Sequence, residues 1–227
     1  GLGTGLGTAL GVKAAAPDIV YHLAGQRLGT LEELEAVNVG GTENILRAVA
    51  RGTHAEPPVQ VIIAGSAAEY GATAESELPI REDSPPAPVG DYGLSKLEAT
   101  ERARELADAL GVPVTIARIF NVTGPGEPDS LVFGGIAKGI ARAERESRAA
   151  EILVGSLGAT RDLIDVRDVA AALGALGEAG AARAHWEPGA GNGAPGAVSI
   201  VNVARGVEEC VRTHAQRLLA LARVPAR

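Results

Sequence analysis

Asp18-Ile19-Val20-Tyr21-His22-Leu23-Ala24-Gly25 is a short, mostly apolar run that stops at small residues. The pattern returns at Val59–Ala64, broken by Gly65-Ser66, and at Val114–Phe120, closed by Asn121-Val122-Thr123-Gly124-Pro125-Gly126. Apolar runs without polar alternation read as strands covered on both faces. Between them the apolar residues fall at helical spacing, from Leu31 to Ala50 with a stop at Arg51-Gly52, and from Asp91 to Leu110 with a stop at Gly111. Buried strands alternating with helices predict an α/β fold, a doubly wound parallel sheet with helices on both faces. Ligands of such sheets bind beyond the strands' carboxyl ends, here Ala24-Gly25, Ala64-Gly65-Ser66 and Phe120-Asn121.

Working outward, residues 71–90 carry Pro79, Pro85, Pro86 and Pro88 among charges and read as a surface loop. A helix is expected over Leu131–Arg145 and a short strand over Glu151–Val154. Arg161–Val169 leads into an Ala-rich helix to Leu176, and 185–197 is a Gly/Pro-rich loop. A strand over Ile200–Val203 and a helix over Val207–Arg223 complete the chain, with Cys210 expected in the core of that helix. A single cysteine allows no intrachain disulfide, and no zinc site is expected. The net charge of −7 argues against a nucleic-acid or anionic-membrane partner. No apolar run approaches membrane-spanning length and no signal peptide is legible, so the expected location is the cytoplasm.

Tyr92-Gly93-Leu94-Ser95-Lys96 carries the chemistry. Only three lysines, Lys13, Lys96 and Lys138, occur in the chain, so one set four residues after a tyrosine stands out. On a helix, positions i and i+4 share a face, and an ammonium beside a phenol favours the phenolate. That pairing makes an acid/base device. Ser66, at a strand end and followed by Glu69-Tyr70-Gly71, supplies a hydroxyl able to donate to a substrate carbonyl. Taken singly, these residues also fit a surface Tyr–Lys pair and a turn serine.

In combination the segments resemble the extended short-chain dehydrogenase/reductase family, of the NAD-dependent epimerase/dehydratase type, which acts on nucleotide-diphosphate sugars. The motifs are PDIVYHLAGQ (17–26), NVGGTENIL (38–46), AGSAAEYG (64–71), DYGLSK (91–96), ARIFNVTGPG (117–126), RDLIDVRDV (161–169) and VNVARG (201–206), in the family's order. Within the family they look most like GDP-4-keto-6-deoxymannose reductases and related 4-ketoreductases. The resemblance implies a Rossmann-type fold, an NAD(P) cofactor and Ser66, Tyr92 and Lys96 as catalytic residues. It implies cofactor contacts from Leu23, Ala24, Gly25, Asn38, Ala64, Gly65, Tyr92, Lys96 and Ile119. Substrate contacts would come from Ser66, Asn121 and Arg161, the last clamping the diphosphate as a planar bidentate donor. Taken as residues alone, Arg161 also fits a salt bridge with Asp162 or Asp165, and Asn38 and Asn121 fit capping roles. A homodimer through the Tyr–Lys helix and its neighbour is implied, and Leu94, Leu97, Leu106 and Leu110 suit that or packing on the sheet.

Two departures refine the expectation. Dehydratases of the family keep acids directly after the catalytic hydroxyl residue; here Ala67 and Ala68 stand there and Glu69 comes later, which disfavours water elimination. Reduction of a 4-keto-6-deoxy sugar nucleotide is the leading reading, with an NAD-dependent 4-epimerase and a non-catalytic nucleotide-sugar-binding member as alternatives. Secondly, Gly1, Gly5 and Gly7 fit a dinucleotide-binding spacing without the strand that should precede it, so those glycines are left unassigned. The expected domains are 1–165 for the dinucleotide, with its first strand and Gly-rich loop missing, and 122–227 for a small, incomplete substrate lobe interleaved with it. A chain without Met that ends directly after a helix is expected to be cut at both ends.

Overall fold

The computed structural model describes residues 17–52, 58–149, 152–182 and 198–223. In chain order its elements are β1 (Ile19–His22), α1 (Leu31–Gly52), β2 (Gln60–Ser66), α2 (Asp91–Leu110), β3 (Val114–Ile119), β4 (Asn121–Thr123) and α3 (Val132–Arg145). There follow β5 (Thr160–Asp165), α4 (Val166–Ala182), β6 (Val198–Val203), β7 (Glu208–Cys210) and α5 (Val211–Ala220). Two compact units result, Gly1–Phe120 with Ala170–Val203 and Asn121–Val169 with Ala204–Arg227. This differs from the expected 1–165 and 122–227. Residues 121–169 fall wholly in the second unit, and 170–203 returns to the first because β6 joins its sheet beside β3.

The first unit is a four-stranded sheet in the order β1-β2-β3-β6, every pair parallel. The doubly wound reading therefore holds as a Rossmann-type parallel sheet with flanking helices. β2 is buried almost end to end, as a central parallel strand requires. Val20, Val61, Ile63, Val114, Ile116, Val198 and Ile200 pack on one face against Leu46 and Val49 of α1 and Ala103, Leu106 and Ala107 of α2. Leu106 and Leu110 thus belong to this core. On the opposite face Ile19 and Tyr21 lie against Gly177 of α4.

Local chemistry sets the helix limits. Thr30 opens α1 with a reciprocal cap: its Oγ1 accepts the Glu33 N–H at 3.3 Å, and its own N–H donates to Glu33 Oε2 at 2.9 Å. Leu34, Asn38, Thr42, Leu46 and Val49 then form one buried stripe. Gly111 ends α2 in the left-handed conformation at φ 66°. At the end of the Ser66 turn, Gly71 has φ 70° and lies where a β-carbon would run into the Ala87 carbonyl; the Ala87 N–H donates to Glu69 O at 3.1 Å. The expected surface loop is thereby pinched shut at its base.

In the second unit β5 pairs parallel with β4 and antiparallel with β7. Phe133 and Ile136 of α3, Leu163 of β5 and Ala215 of α5 form its core. Two expectations fail here. Of the strand expected over Glu151–Val154, Glu151 lies outside the described residues and 152–154 form none: Ile152 packs in this core but Leu153 is 95% exposed, and among the described residues no strand pairs with them. The expected helix from Val207 begins only at Val211, because Glu208–Cys210 pairs with Thr160–Asp162 first. Cys210 consequently ends a strand, half-buried, with its thiol 3.5 Å from the Leu157 carbonyl. The 185–197 loop and the Gly1–Gly7 stretch lie outside the described residues. No described helix is long and apolar enough to cross a membrane.

Candidate active site

Ser66 ends β2 in register with Ile119 at the end of β3, and Ile119 in turn lies beside Val203 of β6. The chain then makes one 3₁₀ turn, Ala67–Glu69, which Ser66 caps. Ser66 Oγ accepts the Ala68 N–H at 3.1 Å, and the Ser66 N–H donates to Glu69 Oε1 at 2.9 Å. The Ser66 hydroxyl hydrogen is not used by that cap. Glu69 is fully buried, its Oε2 accepting from Thr100 Oγ1 at 3.0 Å and Arg118 Nε at 2.8 Å. Arg118 is 2% exposed and its guanidinium lies 4.5 Å over the Tyr70 ring. With alanines at 67 and 68, the nearest carboxylate in sequence is therefore locked in an internal ion pair rather than offered to a substrate.

The first turn of α2 is brought against this serine turn. Gly93 permits it: a β-carbon there would lie 2.7 Å from the Ala68 carbonyl. Half-buried Tyr92 precedes that contact, and Lys96 follows one turn later. The buried Lys96 ammonium donates to the Ala64 carbonyl at 2.5 Å. Burial lowers the Lys96 pKa below the ordinary lysine value, and the negative charge of Glu69 works against that fall.

Asn38 holds the site from behind. Its Oδ1 accepts the Gln26 N–H at 2.8 Å, and its Nδ2 donates to Gln26 O at 2.9 Å and to Ser95 Oγ at 3.0 Å. Ser95 Oγ donates onward to the Tyr92 carbonyl at 3.0 Å. Asn38 thus ties the segment after β1 to the backbone between Tyr92 and Lys96, and both its amide hydrogens are engaged in that work. Leu23, Ala24 and Gly25 lie exposed between His22 and the clamped Gln26. His22 was not singled out in the sequence. It sits at the end of β1 with its pKa lowered by burial first and by the Lys96 charge second.

Ser66, Tyr92, Lys96, Ala64, Gly65, Asn38 and Ile119 all lie in the first unit and are linked by these contacts or by strand register. Asn121 and Arg161 belong to the second unit. Asn121 is exposed, and its Nδ2 donates to Asp162 O at 3.2 Å across the β4–β5 pair. Arg161 is exposed on β5 and donates to the Thr160 carbonyl at 2.6 Å. The carboxylates expected as salt-bridge partners of Arg161 are engaged elsewhere. Asp165 pairs with Arg167, and Asp162 accepts the backbone N–H groups of Arg205 at 2.8 Å, Gly206 at 2.6 Å and Val207 at 3.2 Å.

A parallel sheet whose carboxyl edge meets a Tyr-x-x-x-Lys helix and a strand-end serine defines the short-chain dehydrogenase/reductase class. The model of the NAD dependent epimerase/dehydratase family matches residues 10–188, and the chain belongs to that family. It is 34% identical over 218 residues to the GDP-6-deoxy-D-mannose reductase of Pseudomonas aeruginosa, covering 92% of this chain and 64% of that protein. It is 32% identical over 152 residues to the dTDP-6-deoxy-L-talose 4-dehydrogenase (NAD(P)(+)) of Kitasatospora kifunensis, covering 66% of this chain and 46% of that one. The solved structure of RMD from Pseudomonas aeruginosa complexed with NADPH superimposes with a TM-score of 0.76 at 32% identity, over 93% of this chain and 66% of that one. The chain thus spans less than two thirds of the length of these relatives.

Proposed function

We propose that this chain carries the catalytic site of an NAD(P)-dependent reductase of a nucleotide-diphosphate 4-keto-6-deoxy sugar, acting in the cytoplasm as a homodimer. The observation that carries the reading is the meeting of Ser66 and the Tyr92–Lys96 helix at one sheet edge, with Ala67 and Ala68 beside the serine and Glu69 shut away. The described residues fit the nicotinamide-ribose end of a dinucleotide. An ammonium has three donors; Lys96 spends one on the Ala64 carbonyl, which leaves two for a pair of ribose hydroxyls. Leu23, Ala24 and Gly25, exposed at the end of the neighbouring strand, fit the path toward the diphosphate.

When bound, NAD(P)H supplies the hydride. Tyr92 gives its phenolic proton to the oxygen that becomes an alkoxide. Ser66 donates its unused hydroxyl hydrogen to the same oxygen, stabilising negative charge as it develops. Arg161, exposed and without a carboxylate partner among the described residues, binds the sugar nucleotide's diphosphate, and Asn121 contributes at the sugar. Similarity to a reductase and to a 4-dehydrogenase favours net hydride transfer over 4-epimerisation. The dimer reading rests on α1 and α2, which pack side by side with Leu94 and Leu97 only half-buried.

The test is NADPH oxidation by the full-length protein with GDP-4-keto-6-deoxymannose. Tyr92→Phe is expected to lower kcat by about 10²–10⁴-fold, the usual worth of a positioned proton donor. Unchanged turnover in that variant removes the assignment. A wild-type protein that holds NAD tightly and consumes no NADPH points to the epimerase instead.

A further inference from the structure

Behind Ser66 the first unit buries a charged group that the proposed chemistry does not use. Glu69 has no exposed surface, and both its oxygens are committed: Oε1 to the Ser66 N–H, Oε2 to Thr100 Oγ1 and Arg118 Nε. Arg118 lies over Tyr70, whose hydroxyl donates to Asn202 Oδ1 at 2.7 Å. Asn202 is held in turn, its N–H donating to Glu82 Oε1 at 2.9 Å. Four segments of the chain, β2, α2, β3 and β6, therefore converge on the turn that presents the serine.

A buried ion pair is weak evidence for stability, since apolar residues of similar volume often serve as well or better. Its retention here calls for another role, and the contacts supply one. We propose that Glu69 is a positioning residue for Ser66: its carboxylate, anchored by Arg118 and Thr100, fixes the backbone from which the Ser66 hydroxyl is aimed. The tether is direct, because the same carboxylate oxygen that faces the serine backbone closes the one-turn helix Ser66 caps. This inference rests on Ser66 being the catalytic hydroxyl, and it adds a residue that sequence spacing assigns to no part of the chemistry.

Two double variants of the full-length protein separate tether from charge. Glu69→Leu with Arg118→Met removes the ion pair and the tether together, leaving no unpaired buried charge. Glu69→Gln with Arg118→Met removes the charges, but the Gln carbonyl still accepts the Ser66 N–H, and its amide donates to Thr100 Oγ1 where the carboxylate accepted from it. With NADPH and GDP-4-keto-6-deoxymannose, the Leu/Met variant is expected to lose about tenfold to a hundredfold in kcat at unchanged KM, the scale of an ångström misplacement. The Gln/Met variant is expected to recover to within about threefold of wild type on the same scale. In a Ser66→Ala background the Leu/Met pair should cost nothing further, because the hydroxyl it positions is gone. Amide exchange at Ser66 should quicken in the Leu/Met variant only. Equal losses in both double variants, additive losses on Ser66→Ala, or unchanged exchange at Ser66 each overturn the proposal. If Ser66→Ala itself keeps wild-type turnover, the reductase reading of Ser66 falls, and this inference falls with it.

Discussion

Glu69 and Asn38 in the first unit spend their hydrogen bonds on other protein groups, whereas Arg161 in the second lies exposed and gives one hydrogen bond to its own neighbour's carbonyl. The contrast extends to the residues around them. Ser66, Ser95 and Lys96 are each tied to backbone or to a buried partner, while Asn121 is exposed and gives one hydrogen bond to the Asp162 carbonyl. In the proposed reaction the groups that move protons need fixed geometry, and packing locks these residues before substrate arrives. The diphosphate grip proposed for Arg161 gains from the opposite arrangement, because donors already satisfied by the protein have little left for a ligand. The second unit keeps its surroundings ordered instead through Asp162, whose carboxylate gathers three successive backbone N–H groups of residues 205–207.

Changes in the two regions should therefore fail in different ways. The largest effect is expected from Lys96→Met, with turnover down by about 10²-fold or more and the thermal midpoint at neutral pH raised. The sign follows from burial. The folded protein holds the Lys96 proton less tightly than the unfolded chain does, so wild-type stability rises with pH between the lowered value and the ordinary lysine range. The advantage of Lys96→Met should shrink over that same window, as wild type sheds the buried charge. A lower midpoint for the variant at pH 7 would break the claim that the first unit sacrifices stability for its ammonium.

Arg161→Ala comes next. The sugar nucleotide's KM should rise about tenfold to a hundredfold, the worth of charge-assisted hydrogen bonds, with a thermal midpoint close to wild type because an exposed side chain is removed. A fall in kcat at constant KM would move Arg161 from the binding role to the chemical one. The smallest effect belongs to Asp165. Hydrogen bonds from the Arg167 side chain and then its backbone N–H lower the Asp165 pKa to about 2. Its stabilisation is present above the ordinary aspartate range and is lost as pH falls toward 2. Asp165→Asn should be slightly less stable than wild type at pH 5 and equal to it near pH 2, as followed by urea unfolding.

Much of this was legible in the sequence, and the reasons differ by residue. β2 and β3 announce themselves as largely apolar runs, and Tyr92 and Lys96 by a spacing that only a helix makes meaningful. β4 and β7 span three residues each, too few for any period to register, and Ile152-Leu153-Val154 imitates a strand that has no partner among the described residues. Glu69 read as a displaced acid because its partner Arg118 lies 49 residues away. Two local signs pointed to its burial: the Ser-x-x-Glu cap from Ser66 to Glu69, and the one charged residue, Arg118, inside the mostly apolar β3. Asn38 was legible as a polar residue on the buried stripe of α1, but its grip on Gln26 and Ser95 depends on tertiary contacts.

The pinch at Gly71 and Ala87 has a consequence for how this protein can be altered. Chain that leaves and re-enters a fold at one point is mechanically an appendix: what happens along it transmits little strain to its base. Glu82 and Ile80 stitch the middle of the excursion to Asn202, but residues 72–78 carry no such stitch to the sheet. Doubling the length of such a loop costs only about 0.6 kcal/mol in closure entropy. The stretch from Ala72 to Leu78 is thus a port for inserted sequence, a few residues from the serine turn in the chain yet insulated from it by a single glycine.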